Sequence, residues 1–258
     1  MRKTRIALFT SIVMNACLLL LFFLLLYRLG GIRYVIWKAT IGDRVTGVSA
    51  GRSEHFEDIP VSPTDVVFIG DSITAQAEWA DLIGDCRVRN RGIPGETTRA
   101  LQKRLKPLVA TKPAAVFIMS GINDLVSDSP ADVAMRLKAI INDIANHSPK
   151  TAIYIQSILP VNNTIRRTGI AIDDIRVTNS DLRYYCYHTK RAVFIDLWPV
   201  FADINGQLGN QFTYDGIHLN GKAYMQWRAA ISPYLIKHLG SNQRLNANAI
   251  QPSASGNR

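Results

Sequence analysis

Cysteine is scarce: Cys17, Cys86 and Cys186 are the only three in 258 residues. That leaves room for one disulfide, Cys86 with Cys186, in an oxidising compartment, yet nothing in the sequence brings the pair together. Both are expected as buried free thiols. Neither sits in a strand-to-helix elbow, which argues against a cysteine nucleophile. Cys17 falls in the middle of an apolar run rather than after it, which argues against lipoprotein processing. Runs of Lys and Arg alternating with stacking aromatics are missing, as are zinc-finger and RNA-binding aromatic signatures. The net charge of +10 and pI near 9.7 therefore read as a solvated basic surface, and no nucleic-acid partner is expected. No internal repeat is present. After Leu26 the chain continues Tyr27-Arg28-Leu29-Gly30 without a small-x-small site, which disfavours a cleaved signal peptide.

What the chain does have begins at its N-terminus. A basic flank over residues 1–5 carries Arg2, Lys3 and Arg5, and residues 6–27 are almost wholly apolar. About 22 residues at 1.5 Å each give roughly 33 Å, enough to cross a bilayer. An uncleaved signal anchor is expected. The basic flank gives a modest preference for a cytoplasmic N-terminus and an outward-facing, periplasmic or otherwise extracytoplasmic, remainder. Residues 28–61 read as a juxtamembrane linker, helical around 34–40. Residues 241–258 are rich in Asn, Gln, Ser and Ala and are expected as a disordered polar tail.

Residues 62–240 show the pattern of one domain. Short apolar runs at 65–69, 87–90, 114–119, 152–158 and 192–197 alternate with helical patterns at 73–83, 97–108, 131–146, 173–191 and 221–238. Strands rich in Val, Ile and Phe, alternating with helices, predict a parallel five-stranded sheet with helices on both faces. In such a sheet the ligand crevice lies beyond the carboxyl ends of the strands.

Four motifs fall at that edge: Gly70-Asp71-Ser72, Asn90-Arg91-Gly92, Gly121-Ile122-Asn123-Asp124 and Asp215-Gly216-Ile217-His218. A serine hydroxyl needs a base to become a nucleophile, and His218 with Asp215 three residues earlier is the fitting pair. Singly, each motif has a plainer explanation. Ser72 would serve as an N-cap for a helix starting at Ile73, Gly92 as a permissive turn residue, and His218 as a loop histidine. Together, in this order, they resemble the SGNH (GDSL-type) esterase and lipase family over roughly residues 62–238. The blocks Asn90-Arg91-Gly92-Ile93-Pro94-Gly95-Glu96-Thr97-Thr98 and Asp215-Gly216-Ile217-His218-Leu219-Asn220 add detail to the likeness; Ile122 departs from it, where many relatives carry a small or hydroxylated residue. The resemblance implies a flavodoxin-like three-layer α/β/α fold, no metal or other cofactor, and a serine acyl-enzyme mechanism. It also implies an oxyanion hole formed by the backbone N–H groups of Ser72 and Gly92 and the side-chain amide of Asn123.

The expected activity is that of a membrane-anchored esterase removing a short acyl group, with an ester of a glycan or lipid as substrate. A lysophospholipase or acyl-thioesterase, an O-acetyltransferase and a non-catalytic envelope-binding protein are the alternatives. The polar, basic stretch 161–172 follows a strand end, so Arg166 and Arg167 are candidate substrate contacts, as are Trp79 and Trp198. For both tryptophans core packing is the first reading and substrate contact the second. His55, His147, His188 and His238 lack any motif and are expected at the surface.

Overall fold

The computed structural model describes residues 2–28, 47 and 49–241. The chain divides into two units, Met1–Ala50 and Gly51–Arg258. In the first, helix α1 (Arg2–Arg28) contains the segment Leu8–Tyr27, with a mean hydropathy of 2.5 and no burial. By length and composition it is sufficient to cross a membrane. Its side chains from Leu8 to Tyr27 are apolar nearly all round and unpacked, a surface suited to lipid rather than to a protein core. The linker's expected helix around 34–40 lies outside the described residues, as does almost all of the tail. Residues 51–58, expected within that linker, are instead helical (α2) and part of the second unit.

The second unit is built on a parallel sheet of β1 (Val66–Gly70), β2 (Val88–Gly92), β3 (Ala115–Met119), β4 (Ala152–Gln156) and β5 (Val193–Ile195), in the order β2-β1-β3-β4-β5. β1 and β3 are buried along their whole length, as their β-branched and aromatic residues require. Between the strands run α3 (Ser72–Ala75), α4 (Trp79–Ile83), α5 (Thr98–Ala110), α6 (Pro130–His147) and α7 (Ile172–Thr189), followed by α8 (Trp198–Phe201) and α9 (Gly221–Leu239). Helices α5, α6 and α7 pack side by side; α4 and α8 pack against α9. These two groups are the helical layers of an α/β/α fold.

The core joins aromatic rings across the sheet. Phe68 stacks on Trp79 at 4.0 Å and on Phe117 at 4.9 Å, while Trp227 of α9 meets Trp79 edge-on at 4.9 Å. The chain leaves β1 for the edge strand β2 and returns to β3, so β1 and β3 flank the topological switch point. Ligands of open α/β sheets bind outside the strand ends at that place.

The expected helix over 73–83 is two short helices. The Trp79 indole N–H donates to Thr74 O at 2.9 Å, and the Asn90 amide donates to Ala75 O at 3.0 Å and Ala77 O at 2.8 Å. Carbonyls that a continuous helix would use are thus taken by side chains. β5 is shorter than the apolar run 192–197, because the chain turns at Asp196, whose carboxylate accepts from Trp198 N–H at 3.1 Å and pairs with Arg183.

Candidate active site

Gly70 ends β1 where only glycine fits: a Cβ there would lie 2.0 Å from Met119 O. The helix that follows is capped by Asp71, whose Oδ1 accepts from Ile73 N–H at 2.9 Å. Capping by Asp71 leaves Ser72 in the first helical position with its hydroxyl unused by the backbone. Ser72 is therefore not the N-cap. Its Oγ lies 3.0 Å from His218 Nε2. Asp71 itself is buried, and burial, reinforced by the charges of Glu96 and Asp124, pushes its carboxyl up to about 7 against the pull of the Ile73 N–H.

His218 arrives on a tight loop after a 3-10 turn (Asn210–Phe212). Asp215 Oδ1 accepts from the N–H groups of Ile217 at 3.0 Å and His218 at 2.8 Å, and its Oδ2 lies 2.6 Å from His218 Nδ1. One carboxylate oxygen shapes the loop; the other holds the ring. An ionised carboxylate at Nδ1 keeps the proton there and leaves Nε2 as the acceptor facing Ser72. Burial raises the Asp215 carboxyl, but the bonds from His218 and the two backbone donors outweigh it and hold it at about 2. Gly216, at φ +86°, makes the turn possible, and a Cβ on it would meet Asn162 O at 2.6 Å. The Asn162 N–H in turn donates to Gly216 O at 2.7 Å.

Of the expected oxyanion donors, the Ser72 N–H opens a helix and so lacks an intrahelical acceptor. The Asn123 amide donates to Glu96 O at 2.9 Å, leaving its second N–H for a ligand. The Gly92 N–H is already engaged, donating to Asn90 Oδ1 at 2.9 Å, so an oxyanion would have to share it. Gly92 packs so tightly on α3 that a Cβ would sit 2.5 Å from Ala75 N.

Buried charges brace this edge from behind. Asp124, beside Asn123, accepts from Thr98 N–H at 2.9 Å, Thr98 Oγ1 at 2.6 Å and Arg136 Nη2 at 3.2 Å. Glu96 pairs with Arg104 at 2.5 Å, while its burial raises its carboxyl despite that partner. Tyr224 Oη donates to Ile73 O at 2.8 Å, in the helix that carries Ser72. The sequence does not announce how Asn90 and Tyr224 brace α3, because those bonds join residues distant in the chain.

The expected substrate contacts separate. Trp79 is a correction: it is 1% exposed and stacked in the core, where no substrate reaches it. Trp198 is half-buried, with the Arg176 guanidinium 5.5 Å above its ring. Arg166 and Arg167 are exposed on the loop after β4. That loop is stitched to the catalytic loop through Asn162, whose amide also donates to Leu208 O at 2.7 Å and Asn210 Oδ1 at 2.8 Å. Cys186 is buried, which pushes its thiol up to about 11, but Cys86 is exposed, and both are free. His55, His147 and His188 are exposed; His238 is not fully so, since its Nε2 lies 2.9 Å from Tyr154 Oη. Among the described residues no group of three or more His, Cys, Asp or Glu is arranged to hold a metal ion.

The model of the GDSL-like lipase/acylhydrolase family matches residues 68–226. The chain belongs to that family. As a GDSL-like acylhydrolase it is an ester-hydrolysing enzyme. An N-acylneuraminate cytidylyltransferase of Escherichia coli O18:K1:H7 is 33% identical over 169 residues, which are 63% of this chain but only 38% of that protein. The platelet-activating factor acetylhydrolase IB subunit alpha2 of Rattus norvegicus is 25% identical over 169 residues, 62% of this chain and 71% of its own. Among solved structures, a platelet activating factor candidate from Streptococcus pneumonia superposes with a TM-score of 0.70 at 25% identity, covering 78% of this chain and 99% of that one. An acetylxylan esterase from Geobacillus stearothermophilus, in a catalytic mutant form, shares the fold at TM-score 0.54 and 20% identity, over 70% of this GDSL-like acylhydrolase and 96% of that chain.

Proposed function

We propose that the protein is a membrane-anchored serine esterase that removes a short acyl group through an acyl-enzyme, with its catalytic domain on the extracytoplasmic side. The observation that carries this reading is the line of contacts from Asp215 Oδ2 through His218 to Ser72 Oγ, at 2.6 and 3.0 Å. Ser72 Oγ attacks the acyl carbonyl as its proton passes to His218 Nε2, and the Asp215 carboxylate stabilises the imidazolium. The carbonyl oxygen becomes an oxyanion, met by the N–H groups of Ser72 and Gly92 and by the Asn123 amide. Collapse breaks the ester C–O bond, and the leaving alkoxide takes the proton from Nε2. Water then attacks the acyl-serine with His218 again as base, releasing a carboxylic acid and restoring Ser72.

A short acyl group on a polar or anionic carrier is supported by the exposed Arg166 and Arg167, on a loop tied to the catalytic loop. The acetylhydrolase relative points the same way. Membrane attachment is supported by the apolar helix Leu8–Tyr27. The test is hydrolysis of p-nitrophenyl acetate, butyrate and dodecanoate by the full chain in detergent, beside Ser72→Ala. Turnover that falls with chain length and vanishes in the variant is expected. Rates that climb toward dodecanoate would replace the short-acyl reading with a lipid hydrolase, and undiminished turnover in Ser72→Ala would overturn the mechanism.

A further inference from the structure

Arg52 lies on α2, upstream of the residues that the family model matches. Its Nε donates to the Gly92 carbonyl oxygen at 2.5 Å. β2 is an edge strand and Gly92 its last residue. The next residue, Ile93, bonds inward, its N–H donating to Gly70 O at 2.8 Å. Backbone groups alternate sides along a strand, so the N–H and C=O of Gly92 face the open edge, where no further strand can hold them. Side chains do so instead: Asn90 Oδ1 takes the N–H and Arg52 the carbonyl.

Gly92 needs such holding more than any other residue type would. Lacking a Cβ, it has the widest choice of backbone angles, and the 2.5 Å approach of Ala75 N forbids replacing it with a stiffer residue. Arg52 is suited to fix it. The side chain is half-buried, and its guanidinium lies 5.1 Å above the Phe56 ring, so it reaches Gly92 from a seated position. Its planar fork gives a direction to the bond that an ammonium would not.

We propose that Arg52 is a positioning residue for the oxyanion hole: by fixing the Gly92 carbonyl it limits the backbone torsions of Gly92, through which the N–H of the preceding peptide unit keeps its direction toward the charge that develops on the substrate. The proposal rests on Gly92 serving as an oxyanion donor. Acting through Gly92, Arg52 affects the rate of the chemical step and leaves ground-state binding alone.

The experiment compares the full chain in detergent with Arg52→Ala, Arg52→Lys and Ser72→Ala, using p-nitrophenyl acetate, with and without millimolar guanidinium chloride. Arg52→Ala is expected to lower kcat about tenfold with KM within about twofold. Added guanidinium is expected to restore several-fold of that loss in Arg52→Ala and nothing in Ser72→Ala. Arg52→Lys keeps the stem over Phe56 and is expected to lose about threefold or more in kcat; it carries the test if the alanine variant does not fold. Wild-type kcat in both Arg52 variants overturns the proposal, as does a loss confined to KM or one that guanidinium leaves untouched. Activity surviving in Ser72→Ala would instead overturn the serine mechanism beneath it.

Discussion

The Glu96 carbonyl accepts one of the two amide hydrogens of Asn123 at 2.9 Å and so decides where the other points. Glu96 is itself fixed by Arg104, whose Nη2 also donates to Arg91 O at 2.7 Å. The donor is oriented before any substrate arrives. A preorganised donor needs no rearrangement as charge develops, the condition under which one hydrogen bond matters most.

Asn123→Ala is accordingly expected to lower kcat by about 10²- to 10³-fold with little change in KM. Steady-state kinetics on a short p-nitrophenyl ester measure both constants, and a thermal midpoint near wild type would exclude unfolding as the cause. A loss appearing in KM alone would remove Asn123 from the oxyanion hole.

Asp71 makes stability depend on pH. Its carboxyl stands at about 7 in the folded protein against an ordinary 3.8. The folded state thus holds the proton more tightly than the unfolded chain does. The resulting stabilisation is complete below the ordinary value and is lost as pH rises toward 7. Asp71→Asn keeps a side-chain oxygen for the Ile73 N–H but cannot ionise. Its melting temperature relative to wild type should rise between pH 4 and pH 8, and a flat difference across that range would contradict the raised carboxyl.

Asp215 has the opposite sign. Held at about 2, it contributes stability above its ordinary value that fades as pH falls through the folded value. Asp215→Asn should therefore destabilise the protein more at pH 6 than at pH 2.5, by thermal unfolding, while lowering kcat by about 10⁴-fold through loss of the correct tautomer.

Gly216→Ala forces a side chain into a left-handed backbone and against the Asn162 carbonyl. A cost of about 1–3 kcal/mol is expected from the backbone alone. Chemical denaturation should show it, together with a drop in kcat, because the loop that bends is the one carrying Asp215 and His218.

Arg136 is 9% exposed and bonds Asp124, Asp128 and Thr98 together. Arg136→Met leaves Asp124 buried without its cation, a loss of about 3–5 kcal/mol where such pairs are broken. Urea unfolding would register it, and a change below about 1 kcal/mol would show that the Thr98 bonds suffice.

The five strands and the gathering of the four motifs at their carboxyl ends are legible because each rests on a local signal: β-branched runs for the strands, short motifs directly after them. What escaped reading depends on contacts made across the fold. The break between α3 and α4 comes from Asn90, a residue of the neighbouring strand's motif, taking carbonyls that a helix would have used. For Trp79 the sequence leaves core packing and substrate contact side by side, and the stack on Phe68 decides for the core. Arg52 falls in a stretch whose composition resembles a linker, because α2 is short and largely exposed, and its link to Gly92 spans 40 positions.

The hydrogen bond between Ser72 and His218 spans 146 positions. His218 also precedes α9, whose Trp227 closes the core against Trp79. A chain made from its N-terminus gains Ser72 early and His218 late. Under the proposed mechanism, a nascent or prematurely ended chain holds Ser72 without its proton acceptor, so hydrolysis begins only once the C-terminal helix has been delivered and the domain has closed.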